Sequence, residues 1–159
     1  MVERKVVQEG RKVKDFSLKD QNGQDFRLSE FRGEKVLLSF HPLAWTSICA
    51  SQMQSLEKHK RSLDKLNTIA VGLSVDSVPS KAAWAKSLRI KETRLVADFW
   101  PHGAVAKSMG LLRKEGFSER ANVIVNEVGK IIFVKVYPIR ELPDVKELLR
   151  VLKAYKDEE

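Results

Sequence analysis

Apolar residues along the chain change their spacing several times, and each change marks a predicted element. Phe16 and Leu18 alternate with polar neighbours, Asn22-Gly23 follows as a turn pair, and Phe26 and Leu28 alternate again, which predicts a small antiparallel hairpin. Val36-Leu37-Leu38-Ser39-Phe40 is a nearly continuous apolar run, as in strands buried on both faces of a central sheet, and it ends at Pro42. From Cys49 onward, Met53, Leu56, Leu63 and Leu66 recur at helical spacing, predicting one long helix that starts near Thr46 or Ser47, both good N-cap residues. The run from Ile69 to Val75 is the next buried strand. Asp76-Ser77-Val78-Pro79 then opens a helix, with a proline suited to its first turn. A short strand is predicted from Arg94 to Ala97 and a helix from Ala104 to Met109. Asn122 to Asn126, a turn around Val128-Gly129, and Ile131 to Val136 form a second hairpin. Pro143 begins a final amphipathic helix with Val145, Leu148, Leu149 and Leu152 on one side.

Alternation of strands and helices, closing with a hairpin and a helix, fits an α/β thioredoxin-like sandwich: a central mixed sheet flanked by helices, with an N-terminal β-hairpin. At 159 residues the chain is sized for one core, so residues 1–159 are expected to form a single domain. The stretch Met1 to Asp15 carries Glu3, Arg4, Lys5, Glu9, Arg11, Lys12 and Lys14 and has no apolar core resembling a signal peptide, which makes a cytoplasmic location the expectation. No apolar run approaches the roughly 18 residues of a membrane span.

The formal charge of +8 raises the question of nucleic acid. Basic residues are interleaved with acids, as in Glu57-Lys58-His59-Lys60-Arg61 and Arg150 to Glu159, so a solvated basic surface is expected and a nucleic-acid site is not. His41, His59 and His102 lack metal-site spacing, and one cysteine excludes zinc sites built mainly from cysteine.

A single cysteine either packs or reacts. Alone, Cys49 reads as a small buried hydrophobe on the stripe with Met53, Leu56 and Leu63. Its place three residues after Thr46, at the start of a helix, changes that reading. The unpaired amides and dipole of a helix N-terminus favour an anion there. Lowering a thiol pKa from about 8.5 to about 6 requires roughly 3.4 kcal/mol. A helix terminus supplies about 0.3 to 1 kcal/mol and rarely about 2. A second positive group is therefore expected. Ionisation alone gains at most roughly thirty-fold in rate, so fixed donors must also stabilise charge on the departing oxygen.

The residues Val36-Leu37-Leu38-Ser39-Phe40-His41-Pro42-Leu43-Ala44-Trp45-Thr46-Ser47-Ile48-Cys49, Gly72-Leu73-Ser74-Val75-Asp76-Ser77, Trp84, Asp98-Phe99-Trp100-Pro101-His102-Gly103-Ala104-Val105 and Arg120 together resemble the peroxiredoxins of the AhpC/TSA family, especially the one-cysteine AhpE-type branch. The resemblance implies a peroxidatic role for Cys49, a hydrogen bond to substrate and thiolate from Thr46, a guanidinium clamp from Arg120 and shielding by Pro42. It implies a hydroperoxide substrate, no cofactor, a homodimer with Phe99-Trp100-Pro101 at the contact, and a sulfenic acid product. With no second cysteine, recycling falls to an external thiol, either a low-molecular-weight thiol or a redoxin. The chain departs from the family at His41, where an aromatic is common, and at Asn126, where aspartate is frequent. Gln52 stands where glutamate is frequent and leaves open what orients Arg120. A competing reading is a thioredoxin-fold redox sensor or binding protein whose Cys49 oxidises slowly. A disulfide exchanger lacks its Cys-x-x-Cys pair.

Overall fold

The computed structural model describes residues 5–155. The first four residues of the charged N-terminal stretch and the last four of the mixed-charge C-terminal stretch lie outside the described residues.

Strands β1 (Ser17–Lys19) and β2 (Asp25–Arg27) form the antiparallel hairpin. The central sheet contains β3 (Lys35–Phe40), β4 (Thr68–Ser74), β5 (Arg94–Ala97), β6 (Arg120–Val125) and β7 (Ile131–Tyr137) in the order β5-β4-β3-β6-β7. β3 runs parallel to β4 and antiparallel to β6, so the sheet is mixed. Helices α1 (Ser47–Lys58), α2 (Lys60–Lys65), α3 (Val78–Leu88), α4 (Ala104–Ser108) and α5 (Val145–Ala154) complete a thioredoxin-like α/β fold. No helix among the described residues is long and apolar enough to cross a membrane.

Successive strand side chains face opposite ways, and the two faces of the sheet accordingly build two cores. On one face Val36, Leu38, Phe40, Val71, Leu73, Ala121 and Val123 pack with Phe26 and Leu28 of the hairpin region and with Val105 and Ala106 of α4. On the other, Leu37, Ile124 and Leu95 pack beneath α1, α3 and α5 through Cys49, Met53, Trp84, Leu148 and Leu152. The cysteine therefore belongs to the helix-covered face.

Two boundaries differ from the periodic reading. The long helix expected through Leu66 is broken at His59, where φ is −101° and ψ is 17°. His59 Nδ1 lies 2.9 Å from the Ser55 carbonyl, the same acceptor its backbone N–H uses, and this local competition interrupts the helical ladder. The last helix starts at Val145, two residues after Pro143, because Asp144 is the N-cap and its carboxylate accepts from the Lys146 N–H at 2.9 Å.

Candidate active site

The same alternation that divides the core selects the residues of the site. Odd-numbered positions of β3 face α1, so Ser39 and, just past the strand, His41 lie on the cysteine side. On β6, Ala121 and Val123 face the other core, which leaves Arg120 and Asn122 on the cysteine side. Gly72 of β4 lies directly against Met53 of α1. A Cβ there would meet Met53 Sδ at 2.3 Å, Leu95 Cδ2 at 2.9 Å and His41 Cε1 at 3.3 Å.

Cys49 is the third residue of α1, and its side chain has no exposed surface. Thr46 is the N-cap residue, but its hydroxyl makes no capping bond; it donates instead to the Leu43 carbonyl at 2.9 Å. The expected cap is thus made by backbone alone, and the first-turn amides near Cys49 are left uncapped by that side chain. Thr46 is exposed, whereas Pro42 is buried. The intervening turn is held by Asp76, whose carboxylate accepts from the Ala44 N–H at 2.8 Å and the Ser74 hydroxyl at 2.6 Å. Within it Trp45 adopts φ 70°, an unfavourable conformation for a bulky residue, and its indole N–H donates to Ser80 Oγ at 3.0 Å.

Arg120 supplies the second positive group. Its Nη1 donates to Cys49 Sγ at 3.2 Å and to Gln52 Oε1 at 2.9 Å, while Nε donates to the Ile139 carbonyl at 2.8 Å. Gln52 lies one turn of α1 beyond Cys49 and is buried. Its Nε2 donates to Ser39 Oγ at 2.8 Å and to the Phe40 carbonyl at 3.2 Å, so an amide orients the guanidinium where a carboxylate is common. Of the residues anticipated from sequence, Cys49 and Arg120 meet directly. Thr46 and Pro42 lie in the segment leading into α1.

The sequence reading missed Lys81, which is buried against His41 on the cysteine side of the sheet. Lys81 of α3 and His41 are fully buried, and Lys81 Nζ lies 3.2 Å from His41 Nε2. Burial pulls the Lys81 pKa down from 10.5 to about 7, against the opposing influence of the Asp76, Cys49 and Asp98 negative charges. Burial also holds His41 well below its usual range, reinforced by the positive charges of Lys81 and Arg120 and opposed by the Ser39 backbone. With the ring neutral, Nε2 accepts from the lysine and Nδ1 carries the proton. Among the described residues, that Nδ1 meets no hydrogen-bond partner at normal geometry. The only sequence signal for this pair was the histidine standing in place of an aromatic.

A thioredoxin-like fold that opens a helix with a cysteine and sets a buried arginine against its sulfur defines the class of thiol-dependent oxidoreductases. The sequence model of the AhpC/TSA family matches residues 10–134, and the chain belongs to that family, the peroxiredoxins. Alkyl hydroperoxide reductase E of Mycobacterium tuberculosis is 35% identical over 137 residues, covering 85% of this chain and 89% of that protein. A peroxiredoxin of Ignicoccus hospitalis is 30% identical over 152 residues, covering 91% of this chain and 64% of the relative. The crystal structure of the reduced 2-Cys peroxiredoxin of Plasmodium vivax has a TM-score of 0.84 at 26% identity, covering 92% of this chain and 80% of that one. Mycobacterium tuberculosis AhpC shares the fold, with a TM-score of 0.84 at 19% identity over 94% of this chain and 93% of that one. The chain is therefore a peroxiredoxin-type thiol peroxidase with a single buried cysteine, acting on hydroperoxides at the expense of a thiol.

Proposed function

We propose that the chain reduces hydrogen peroxide and organic hydroperoxides by a one-cysteine mechanism with Cys49 as nucleophile. The observation that carries this reading is the Arg120 Nη1 to Cys49 Sγ hydrogen bond at the first turn of α1. The Cys49 thiolate attacks one peroxide oxygen, forming the S–O bond as the O–O bond breaks. Cys49 becomes a sulfenic acid, and the departing hydroxide or alkoxide takes a proton from solvent water to leave as water or alcohol. Arg120 steadies the negative charge as it passes from sulfur to the departing oxygen. Thr46, its own proton committed to Leu43, accepts a hydrogen bond from the incoming peroxide hydroxyl. Pro42 shields the sulfur from bulk water.

An external thiol then attacks the sulfenic sulfur, releasing water and leaving a mixed disulfide, and a second thiol releases reduced Cys49. The chain's lone cysteine supports this route, because no second protein thiol is available within it. We take residues 1–159 to work as one domain and the exposed Phe99-Trp100 stretch to be the contact of a homodimer in the cytoplasm. Mass spectrometry after one equivalent of hydrogen peroxide tests the scheme. It predicts a one-oxygen adduct on Cys49 that is converted to a mixed disulfide by an added low-molecular-weight thiol or redoxin. An unmodified Cys49 after the peroxide has been consumed would defeat the scheme.

The complete burial of the sulfur favours one rival: a sensor whose cysteine oxidises slowly. The residues would be the same in both readings. The oxidation rate separates them.

A further inference from the structure

We propose that Trp45 is a positioning residue of this site: its indole, anchored on Ser80 of α3, holds the turn before α1 in a strained form that aims the Thr46 hydroxyl at the incoming peroxide. The inference rests on Cys49 being the reacting sulfur and on Thr46 meeting its substrate.

The backbone singles Trp45 out. Among the described residues, Trp45, Asn67 and Arg89 are the non-glycine residues with positive φ. Asn67 is of a type that accepts this conformation, and Arg89 ends α3 in the left-handed cap common at helix C-termini. Trp45, at φ 70°, sits in the turn before the α1 N-cap, where glycine or asparagine would be the unstrained choice. A bulky residue persists there only when its surroundings over-determine it, and such residues collect at functional sites. The ring is 56% exposed, so filling the core does not account for it.

Three ties hold the turn. The Ala44 N–H donates to the Asp76 carboxylate at 2.8 Å, the Thr46 hydroxyl donates to the Leu43 carbonyl at 2.9 Å, and the Trp45 indole N–H donates to Ser80 Oγ at 3.0 Å. The first two would serve any residue at position 45; the third needs this side chain. Its acceptor is a fixed point. Ser80 precedes Lys81, which is fully buried with Nζ 3.2 Å from His41 Nε2, and lies one turn before Trp84, which is in the core. Thr46 feels the anchor directly, because it shares a peptide bond with Trp45. Relaxing φ at Trp45 to a negative value rotates the peptide that leads into Thr46, and with it the direction of the Thr46 hydroxyl. Strain of this kind and one hydrogen bond are of similar size, so losing the anchor lets the turn relax in an appreciable share of molecules.

Two variants break the anchor from opposite ends. Ser80→Ala removes the acceptor without touching the turn, and Trp45→Phe keeps an aromatic ring and removes the donor. Each is expected to lower the stopped-flow rate of Cys49 oxidation by hydrogen peroxide about five-fold, the worth of one hydrogen bond. Cys49 is the only cysteine, so the pH of half-maximal alkylation by iodoacetamide reports its ionisation alone, and that midpoint is expected to stay at the wild-type value. Ser80→Thr keeps the hydroxyl and should restore the rate. The double variant should be no slower than either single one, because both remove the same bond. Wild-type rates in Ser80→Ala and Trp45→Phe would overturn the proposal, as would losses that multiply in the double variant or that a shifted midpoint explains in full. Should Trp45→Phe fail to fold, Ser80→Ala against Ser80→Thr decides in the same way. A wild type no faster than free cysteine removes the peroxidase reading and this inference together, whereas a fast wild type matched by every variant removes this inference alone.

Discussion

Arg120 holds three acceptors with two nitrogens, the Cys49 sulfur, the Gln52 amide and the Ile139 carbonyl, and this fixes its fork in one orientation. A lysine cannot reproduce that geometry. Arg120→Lys is expected to lower the second-order rate with hydrogen peroxide by about a hundred-fold, the cost of misplacing one transition-state donor, as read by stopped-flow kinetics. Gln52→Ala strips the guanidinium of its orienting amide and Ser39 of a buried donor. We expect it to cost about 1–3 kcal/mol in urea unfolding and to slow oxidation as well. Lys81 sets a pH dependence of stability whose sign is opposite to that of a salt-bridged lysine. Its folded pKa is about 7 against an ordinary 10.5, so between those values the unfolded chain holds a proton that the native protein has shed. Stability from this group therefore rises with pH across that window, and Lys81→Met should remove the rise in urea midpoints measured at its two ends. Cys49 was legible from its place at the start of a helix three residues after Thr46, whereas Arg120 was reached only through the family resemblance, since an arginine by itself reads as a surface residue. The Lys81–His41 pair was not legible, since a lysine in an amphipathic helix reads as solvated until packing closes over it.

At the scale of elements, the first turn of α1 is placed by two neighbours with no chemical role of their own. Asp76 ties the preceding turn to the end of β4, and Gly72 lets α1 lie close to the sheet. Gly72→Ala would drive a methyl group into Met53 and Leu95. It is expected to destabilise the protein by about 1–3 kcal/mol in urea unfolding and to reduce the oxidation rate by displacing Cys49 relative to Arg120. Strand positions and the start of α1 followed directly from apolar runs and cap residues. The break at His59 did not, because Leu63 continues the apolar stripe while the interruption comes from a side chain competing for the Ser55 carbonyl. Strand period groups His41 with Leu37 and Ser39, on the cysteine side of the sheet.

Across the whole molecule, the two-core sandwich encloses a sulfur with no exposed surface, and among the large apolar groups left on the surface are Trp100 at 80% and Phe99 at 51% exposure. These two line one surface pocket with Val78, at the start of α3, beside the Ser80 that anchors the exposed Trp45. If that surface joins two copies, Trp100→Glu will sediment as a monomer where the wild type sediments as a dimer. Fold and family were legible because the motif residues span most of the chain. Assembly was not, since an exposed apolar stretch names no partner. The most direct measurement of the central claim is stopped-flow oxidation of Cys49 by hydrogen peroxide at neutral pH, compared with free cysteine. Ionisation and aimed donors together predict a rate on the order of 10³ to 10⁵ times that of the free thiol, and no reaction in Cys49→Ser. A rate equal to that of free cysteine, or peroxide consumption that survives Cys49→Ser, would contradict the account.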